Sequence, residues 1–214
     1  MKKVPESTVV RLSLYLRLLE ESVGQGARTL SSEELAGRAG TTAAQVRKDL
    51  SFFGTFGKRG LGYSVVQLTA ALRTILGLER HWRVALVGAG KIGKALIGYR
   101  DFERQGFGIE AVFDSDPGKI GQQWQNLEVR ASAELEAVLG TGIDIVIVAV
   151  PAEAAQAVVD RVVGAGVRAV LNFAPTRLHV PAGVTLKNVN MAVELESLSY
   201  ALVNDAAARA RRAS

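Results

Sequence analysis

Apolar residues in the first 80 positions recur at helical spacing, and polar residues mark where the helices begin. The stretch 9–23 carries a large apolar residue every three or four positions, which predicts an amphipathic helix. Ser31 with Glu34 forms a capping box, as does Thr42 with Gln45. Because such pairs satisfy free backbone donors at a helix start, they predict a second and a third helix.

The predicted third helix has one apolar stripe and one basic face. Val46, Leu50 and Phe53 share the stripe, whereas Arg47 and Lys48 point away from it. Two short helices joined by a short turn, the second with a basic outer face, are typical of a helix-turn-helix. In that motif the second helix enters the major groove of DNA.

A glycine-rich segment follows at 54–63, with the sequence GTFGKRGLGY. Dense glycine favours tight turns, so the segment predicts a β-hairpin with Lys58 and Arg59 at its tip, as in the wing of a winged helix. Ser64 and Gln67 then cap a fourth helix. The candidate DNA-binding positions are Thr42, Gln45, Arg47, Lys48, Ser51, Lys58, Arg59 and Gly60.

The expected roles of these positions differ. Arg47 and Lys48 are predicted to reach bases or nearby phosphates. Ser51 and Lys58 are expected to contact the DNA backbone, and Arg59 is the candidate for the minor groove.

From residue 82 the pattern changes to short apolar strands that alternate with helices. The predicted strands lie in RVALVG, FGIEAVFDSDP, LEVRA, GIDIVIVAVP, VRAVLNFAP and VTLKNVN. Continuous apolar strands of this kind are buried on both faces of a parallel sheet. The expected architecture is therefore α/β, with a doubly wound, Rossmann-like sheet after the winged helix.

Residues 88–95, GAGKIGKA, match two phosphate-binding patterns. A P-loop needs Ser or Thr after its lysine to hold magnesium, but Ala95 stands there. A dinucleotide fingerprint needs an acidic residue about 20 positions beyond its last glycine, and Asp114 lies 21 positions after Gly93. Because a carboxylate accepts hydrogen bonds from the ribose hydroxyls and repels a 2′-phosphate, NAD(H) is favoured over NADP(H). The fingerprint candidates are Gly88, Ala89, Gly90, Lys91, Ile92 and Gly93.

Charge and composition narrow the class of protein. The net charge is +5. Residues 1–80 hold 12 Lys and Arg against 7 Asp and Glu, whereas residues 81–214 hold 14 of each. The excess positive charge therefore lies in the segment that predicts DNA binding. There is no cysteine and there are only two histidines, so no metal site is expected. No apolar run approaches the roughly 20 residues that span a bilayer, and a cytoplasmic location is expected.

A dinucleotide site beside a DNA-binding segment suggests a sensor rather than an enzyme. A dehydrogenase needs a group that exchanges a proton with the substrate, and neither His81 nor His179 has an obvious partner for that role. Two alternatives stay open. One is an NAD-dependent oxidoreductase with an accessory DNA-binding domain, and the other is a sensor of coenzyme A or another nucleotide.

These motifs in this order closely resemble the Rex family of redox-sensing transcriptional repressors over about residues 5–205. The resemblance is carried by QVRKDLSFFG, GKRGLGY, VALVGAGKIGKAL, FDSDP, VAVP and LNFAP. It implies a homodimer that binds palindromic operators when NAD⁺ predominates and releases them when NADH rises. It also implies a winged-helix domain at 1–80, an NAD(H)-binding domain at 81–192 and a dimerisation helix at 193–214, exchanged between subunits.

The resemblance adds residues around the nicotinamide. It implies that Tyr99, on the first Rossmann helix, closes the NADH pocket. The family's nicotinamide-lining segments correspond to Ala149, Val150, Pro151, Asn172, Phe173 and Ala174.

One position departs from the family pattern. Where the family commonly has Asn-Val-Asp, this chain has Asn188-Val189-Asn190. In the family that aspartate acts with the tyrosine and with an arginine that matches Arg17 to distinguish the two cofactor states. Asn190 carries no charge, so we expect weaker or altered discrimination between NAD⁺ and NADH.

Overall fold

The computed structural model describes residues 4–57 and 60–213, with side chains described as far as residue 204. The chain divides into two compact units, residues 1–80 and 81–214. The first contains helices α1 (Glu6–Gly24), α2 (Ser32–Ala39), α3 (Ala43–Ser51) and α4 (Val65–Ile75), with the two-residue strands β1 (Thr29–Leu30) and β2 (Tyr63–Ser64).

The helices of the first unit begin at the predicted caps. The backbone N–H of Glu34 donates to Ser31 Oγ at 3.1 Å, and the Glu34 carboxylate accepts from the Ser31 backbone at 2.7 Å, which confirms the capping box. The box at α3 is only half formed. Thr42 Oγ1 accepts from the Gln45 backbone at 3.1 Å, but the Gln45 side chain turns to Asp49 instead.

Helix α1 provides one wall of the core of this unit. Its buried side chains pack against those of α2, α3 and α4, and the cluster includes Leu12, Tyr15, Leu16, Leu19, Leu35, Val46, Leu50, Leu68 and Leu72. This packing holds α3 with its polar face outward.

Residues 54–63 do not form the predicted β-hairpin, because the strand at the end of this segment pairs with a strand that precedes α2. Strand β2 pairs antiparallel with β1, through Leu30 with Tyr63 and Thr29 with Ser64. Gly54, Gly57, Gly60 and Gly62 all have positive φ, so the segment between α3 and β2 turns repeatedly and does not run as a regular strand. The predicted tip residues, Lys58 and Arg59, lie outside the described residues.

The second unit is a seven-stranded sheet in the order β5-β6-β4-β3-β7-β8-β9. The strands are β3 (Trp82–Val87), β4 (Phe107–Asp114), β5 (Gln123–Trp124), β6 (Leu127–Ala131), β7 (Ile145–Val148), β8 (Ala169–Asn172) and β9 (Thr185–Asn188). All neighbouring pairs are parallel except β5 with β6. The sheet confirms the six predicted strands, and only the short edge strand β5 was missed.

Helices cover both faces of this sheet. They are α5 (Lys91–Ile97), α6 (Asp101–Arg104), α7 (Leu135–Leu139), which follows a 3₁₀ turn at Ser132–Glu134, and α8 (Ala152–Gly164). Alternate residues of β3 enter opposite cores, with Val87 on the α7–α8 side and Leu86 on the α5–α6 side. The strand order reverses between β3 and β7, which is where doubly wound sheets bind ligands.

The chain ends in the long helix α9 (Met191–Ala213). Every described side chain of α9, from 191 to 204, is exposed. None of the helices within the described ranges is long and apolar enough to cross a bilayer.

Candidate dinucleotide pocket and DNA-binding face

The glycine turn after β3 is shaped by two glycines that tolerate no side chain. Gly88 has φ +109°, and a Cβ there would run into the carbonyl group of Ala149. A Cβ on Gly93 would run into the carbonyl oxygen of Gly88, so α5 approaches the strand closely. Gly90 differs because a Cβ there would meet no atom within 4 Å. The middle glycine therefore faces open space, as expected where a pyrophosphate approaches the backbone.

Asp114, at the end of β4, is fixed beside this turn. Its side chain is buried and accepts hydrogen bonds from the backbone of Ala89 at 2.7 Å and of Asp116 at 2.8 Å. Lys119 Nζ lies 3.1 Å from the same carboxylate. Burial alone would raise the pKa of Asp114, but these hydrogen bonds outweigh it and the pKa lies below its usual value. The carboxylate is therefore ionised and oriented.

A cavity of about 820 Å³ opens at the carboxyl ends of β3, β4 and β7. Eight predicted cofactor residues line it: Gly88, Gly90, Lys91, Ile92, Asp114, Ala149, Val150 and Pro151. Six others are absent from its wall: Ala89, Gly93, Tyr99, Asn172, Phe173 and Ala174. The first two of these six form the turn itself, since Ala89 is buried and Gly93 packs against Gly88.

Two cationic residues of the cavity wall were not among the predicted residues. Lys119 contacts Asp114 because the chain turns between them. In this turn Asp116 Oδ1 accepts a hydrogen bond from the Gly118 backbone at 2.9 Å. Arg161 of α8 donates to Glu136 of α7 at 2.7 Å and to the backbone oxygen of Ser132 at 2.7 Å. That pairing lowers the pKa of Glu136 to about 2. The turn sequence DPGK at residues 116–119 could have predicted that Lys119 lies near Asp114. Arg161 gave no such signal, because the residues that position it are distant in sequence.

Asn172 lies behind the cavity wall and is fully buried. Its Nδ2 donates to the carbonyl of Ala174 at 3.1 Å and to Asn188 Oδ1 at 2.9 Å, while its Oδ1 accepts from the Ala174 backbone at 2.9 Å. Because the amide is engaged in these bonds, the contacts support a role in holding the 173–176 loop.

Tyr99 lies beyond the helix on which it was expected. Helix α5 ends at Ile97, and Tyr99 follows in the turn before α6. The side chain is exposed, and its ring meets that of Phe102 edge-on at a centroid distance of 5.0 Å. The predicted position of Tyr99 on the first Rossmann helix is therefore wrong.

The two other switch candidates lie in different units. Asn190 Oδ1 accepts from the backbone of Ala192 at 3.0 Å and so caps α9. Arg17 lies on the exposed face of α1.

The DNA-binding candidates of α3 form a polar, exposed face. Thr42, Arg47, Lys48 and Ser51 are exposed, whereas Gln45 is half-buried. Arg47 is held by α2, since its Nη1 lies 2.7 Å from Ser32 Oγ and 3.2 Å from Glu33 Oε1. Gly60 is exposed in the segment before β2.

Comparisons with known proteins connect both units to one family. Residues 3–51 match a family profile named "Putative DNA-binding protein N-terminus", and residues 79–176 match one named "CoA binding domain". The redox-sensing transcriptional repressor Rex of Roseiflexus sp. is 45% identical over 96% of this chain and 94% of its own length. The Rex protein of Carboxydothermus hydrogenoformans is 47% identical over 95% and 98%, respectively.

Solved structures agree with these relatives. The fold is similar to that of RSP, a Rex-family repressor, crystallised with NADH, with a TM-score of 0.89 and 35% identity over 98% of this chain and 99% of RSP. The complex of RSP with NAD⁺ and operator DNA gives a TM-score of 0.91 and 36% identity over 100% and 99%. The relatives carry the names of transcriptional repressors and not of enzymes, as expected from the lack of a recognisable acid–base residue. With such identity over nearly its whole length, the chain belongs to the Rex family of redox-sensing transcriptional repressors.

Proposed function

We propose that this chain is a repressor that binds palindromic operator DNA and releases it when NADH binds. The observation that carries the proposal is the presence in one chain of an exposed basic face on α3 and a pocket built around Asp114. RSP, at 36% identity, has been crystallised with NAD⁺ and operator DNA, and separately with NADH. These complexes support the same pair of ligands for this chain.

The cofactor we propose is NAD(H), which the pocket would hold through its adenosine and pyrophosphate groups. Gly90, with open space before it, would receive the pyrophosphate, and Asp114 would accept from the ribose hydroxyls. NAD⁺ and NADH share these groups and differ only at the nicotinamide ring. Discrimination must therefore come from residues at the ring, for which Tyr99 and the loop held by Asn172 are the candidates.

A homodimer is proposed from the character of α9. Large apolar side chains on α9 are exposed, including Leu195, Leu198 and Leu202. A contiguous exposed apolar face marks an interaction site on a protein. A dimer would also match the two-fold symmetry of a palindromic operator. Because its target is DNA, we infer that the protein acts in the cytoplasm.

Fluorescence anisotropy on a labelled palindromic operator tests the function. NADH is expected to release the operator at lower concentration than NAD⁺, with NADPH weaker than both. Coenzyme A serves as a further competitor, because residues 79–176 match a profile of that name. Equal effects of NADH and NAD⁺ would contradict the redox-sensor proposal, and release by coenzyme A alone would favour the alternative nucleotide. A salt series would report phosphate contacts through its slope.

Placing a carboxylate at position 190 should change the NADH concentration at which the operator is released. Asn190→Asp keeps an oxygen that can cap α9 but adds the charge that the family pattern has there. We expect the NADH concentration needed for half-release of the operator to change by roughly 3- to 10-fold, the scale of one exposed or partly buried charge pair. An unchanged midpoint would remove Asn190 from the switch.

Weakening the contacts that hold Arg47 against α2 should strengthen DNA binding. Glu33→Gln removes one of them, the ion pair at 3.2 Å, together with a negative charge beside the proposed DNA-binding face, and it leaves the hydrogen bond from Arg47 to Ser32 Oγ at 2.7 Å. We expect a roughly 2- to 5-fold gain in operator affinity, since exposed ion pairs are worth about 0.2–1 kcal/mol. Glu21→Gln is the matched control, because it removes the same charge from the exposed Arg38–Glu21 pair. An equal gain from both variants would indicate a general effect of charge.

A further inference from the structure

We propose that Asp49 determines a base preference of this protein by fixing the direction in which the Gln45 amide faces DNA. The inference rests on the proposed DNA binding by α3. Gln45 lies in the first turn of α3, the part of a recognition helix that reaches base edges. Asp49 lies one turn further on and is fully buried.

Asp49 is a carboxylate with four side-chain partners. Gln45 Nε2 donates to Oδ1 at 2.8 Å. From α1, the hydroxyls of Thr8 and Tyr15 donate at 3.0 Å each, and Arg11 donates through Nε at 2.6 Å and Nη2 at 2.7 Å. The carboxylate therefore joins α3 to α1 as well as holding Gln45.

The charge of Asp49 is retained despite its burial. Burial would raise its pKa, but the hydrogen bonds from Arg11, Gln45, Thr8 and Tyr15 outweigh this and leave the pKa below its usual value. Burial, together with the hydrogen bond to Asp49, raises the pKa of Tyr15 to about 12, so its hydroxyl stays a donor. The cluster is ionised at Asp49 and fully satisfied at neutral pH.

An ionised carboxylate can only accept hydrogen bonds, and this removes the ambiguity of the glutamine amide. The amide must turn its NH₂ group to Asp49, which leaves Oε1 directed away from the carboxylate. A free glutamine can rotate to present either group, and it reads adenine by presenting both to N6 and N7. Held by Asp49 through one hydrogen of its NH₂ group, Gln45 has a fixed Oε1 acceptor, and the second N–H beside it can still donate.

An acceptor of this kind suits a base with an exocyclic amino group in the major groove. Adenine N6 and cytosine N4 are such donors, whereas guanine O6 and thymine O4 are acceptors. Asp49 does not touch DNA in this proposal. It is a positioning residue that selects amino-bearing bases through Gln45, and because the amide is held before DNA arrives, less entropy is lost on binding.

Base preference at each operator position tests the proposal, measured by selection from a randomised half-site library. Gln45→Met keeps the side-chain length without the amide, and we expect a roughly 5- to 20-fold loss of preference for adenine or cytosine at one position, the scale of one lost base contact. Asp49→Ala should lose that preference at the same position. Tyr15→Phe is the matched control, since it removes one donor from Asp49 and leaves Gln45 held; its preference should stay.

Two further measurements separate this effect from simple damage to the fold. Circular dichroism and affinity for unrelated DNA at low salt report whether α3 is still presented. If Asp49→Ala does not fold, Asp49→Asn replaces it, because its amide can both donate to and accept from Gln45 and should relax the preference. A wild-type preference in a folded Asp49 variant, or in Gln45→Met, would overturn the proposal. Failure of the wild-type protein to bind any operator would instead overturn the proposed function.

Discussion

Replacing Gly93 by alanine is expected to lower the free energy of unfolding of the second unit by about 2–3 kcal/mol, because the added methyl group has no space. It would run into the carbonyl oxygen of Gly88, which is backbone and cannot rotate away. Both tryptophans, Trp82 and Trp124, lie in this unit. Denaturant unfolding followed by tryptophan fluorescence therefore reports the change.

Gly90→Ala is the matched control, because it should lower the affinity for NADH and leave the free energy of unfolding nearly unchanged. A Cβ there meets no atom within 4 Å, and the backbone φ of −95° suits any residue. Stability should change by less than about 0.5 kcal/mol, while affinity for NADH should fall as the methyl group enters the proposed pyrophosphate site. Equal destabilisation by the two variants would show that the distinction between a packing glycine and a ligand-facing glycine is wrong.

Replacing Asp114 by alanine should weaken NADH and remove the exclusion of NADPH. The buried carboxylate is the proposed ribose acceptor, and hydrogen bonds to charged groups are worth about 1.5–3 kcal/mol, so NADH affinity should fall roughly 10- to 150-fold. Without that charge, Lys119 would be left to attract a 2′-phosphate. The ratio of NADH to NADPH affinity, from fluorescence titration, should move towards one.

Asp116→Asn controls for the loss of a charge near the pocket. Its side chain is half exposed, and an asparagine oxygen can still accept from the Gly118 backbone and keep the turn. We expect the preference for NADH to be retained in this variant. Loss of the preference in Asp116→Asn as well would indicate that the summed charge of the loop, and not Asp114, excludes NADPH.

Local patterns in the sequence were enough to predict most of the fold. The continuous apolar strands, the capping box at Ser31 and the spacing of Asp114 from Gly93 each depend on neighbours close in the chain. The strands and the capping box are confirmed because local propensity and the final packing agree at these positions, and Asp114 lies beside the glycine turn as its spacing predicts. Pairing between distant segments was harder to predict from the sequence. The β1–β2 pair joins residues about 35 positions apart, and neither strand is long enough to show a periodicity.

The candidate site shows the same division at the level of side chains. Asp114 could be predicted as the ribose partner because the fingerprint specifies its spacing, whereas Arg161 is oriented by Glu136 and Ser132 from separate elements. Asn172 was expected at the ligand, and only the folded loop shows that its amide is engaged by Ala174 and Asn188. The direction of Gln45 likewise depends on Asp49, whose other partners lie on α1 about 40 positions earlier.

The bare surface of α9 has a consequence for how repression would respond to protein supply. Seven large apolar side chains are exposed between residues 191 and 203 of a single chain. If, as proposed, two chains must pair through α9 before binding an operator, the active species grows with the square of the total concentration as long as single chains predominate. Halving the concentration of the chain would then cut the active form about fourfold, so the rate of its synthesis would influence repression independently of the cofactor.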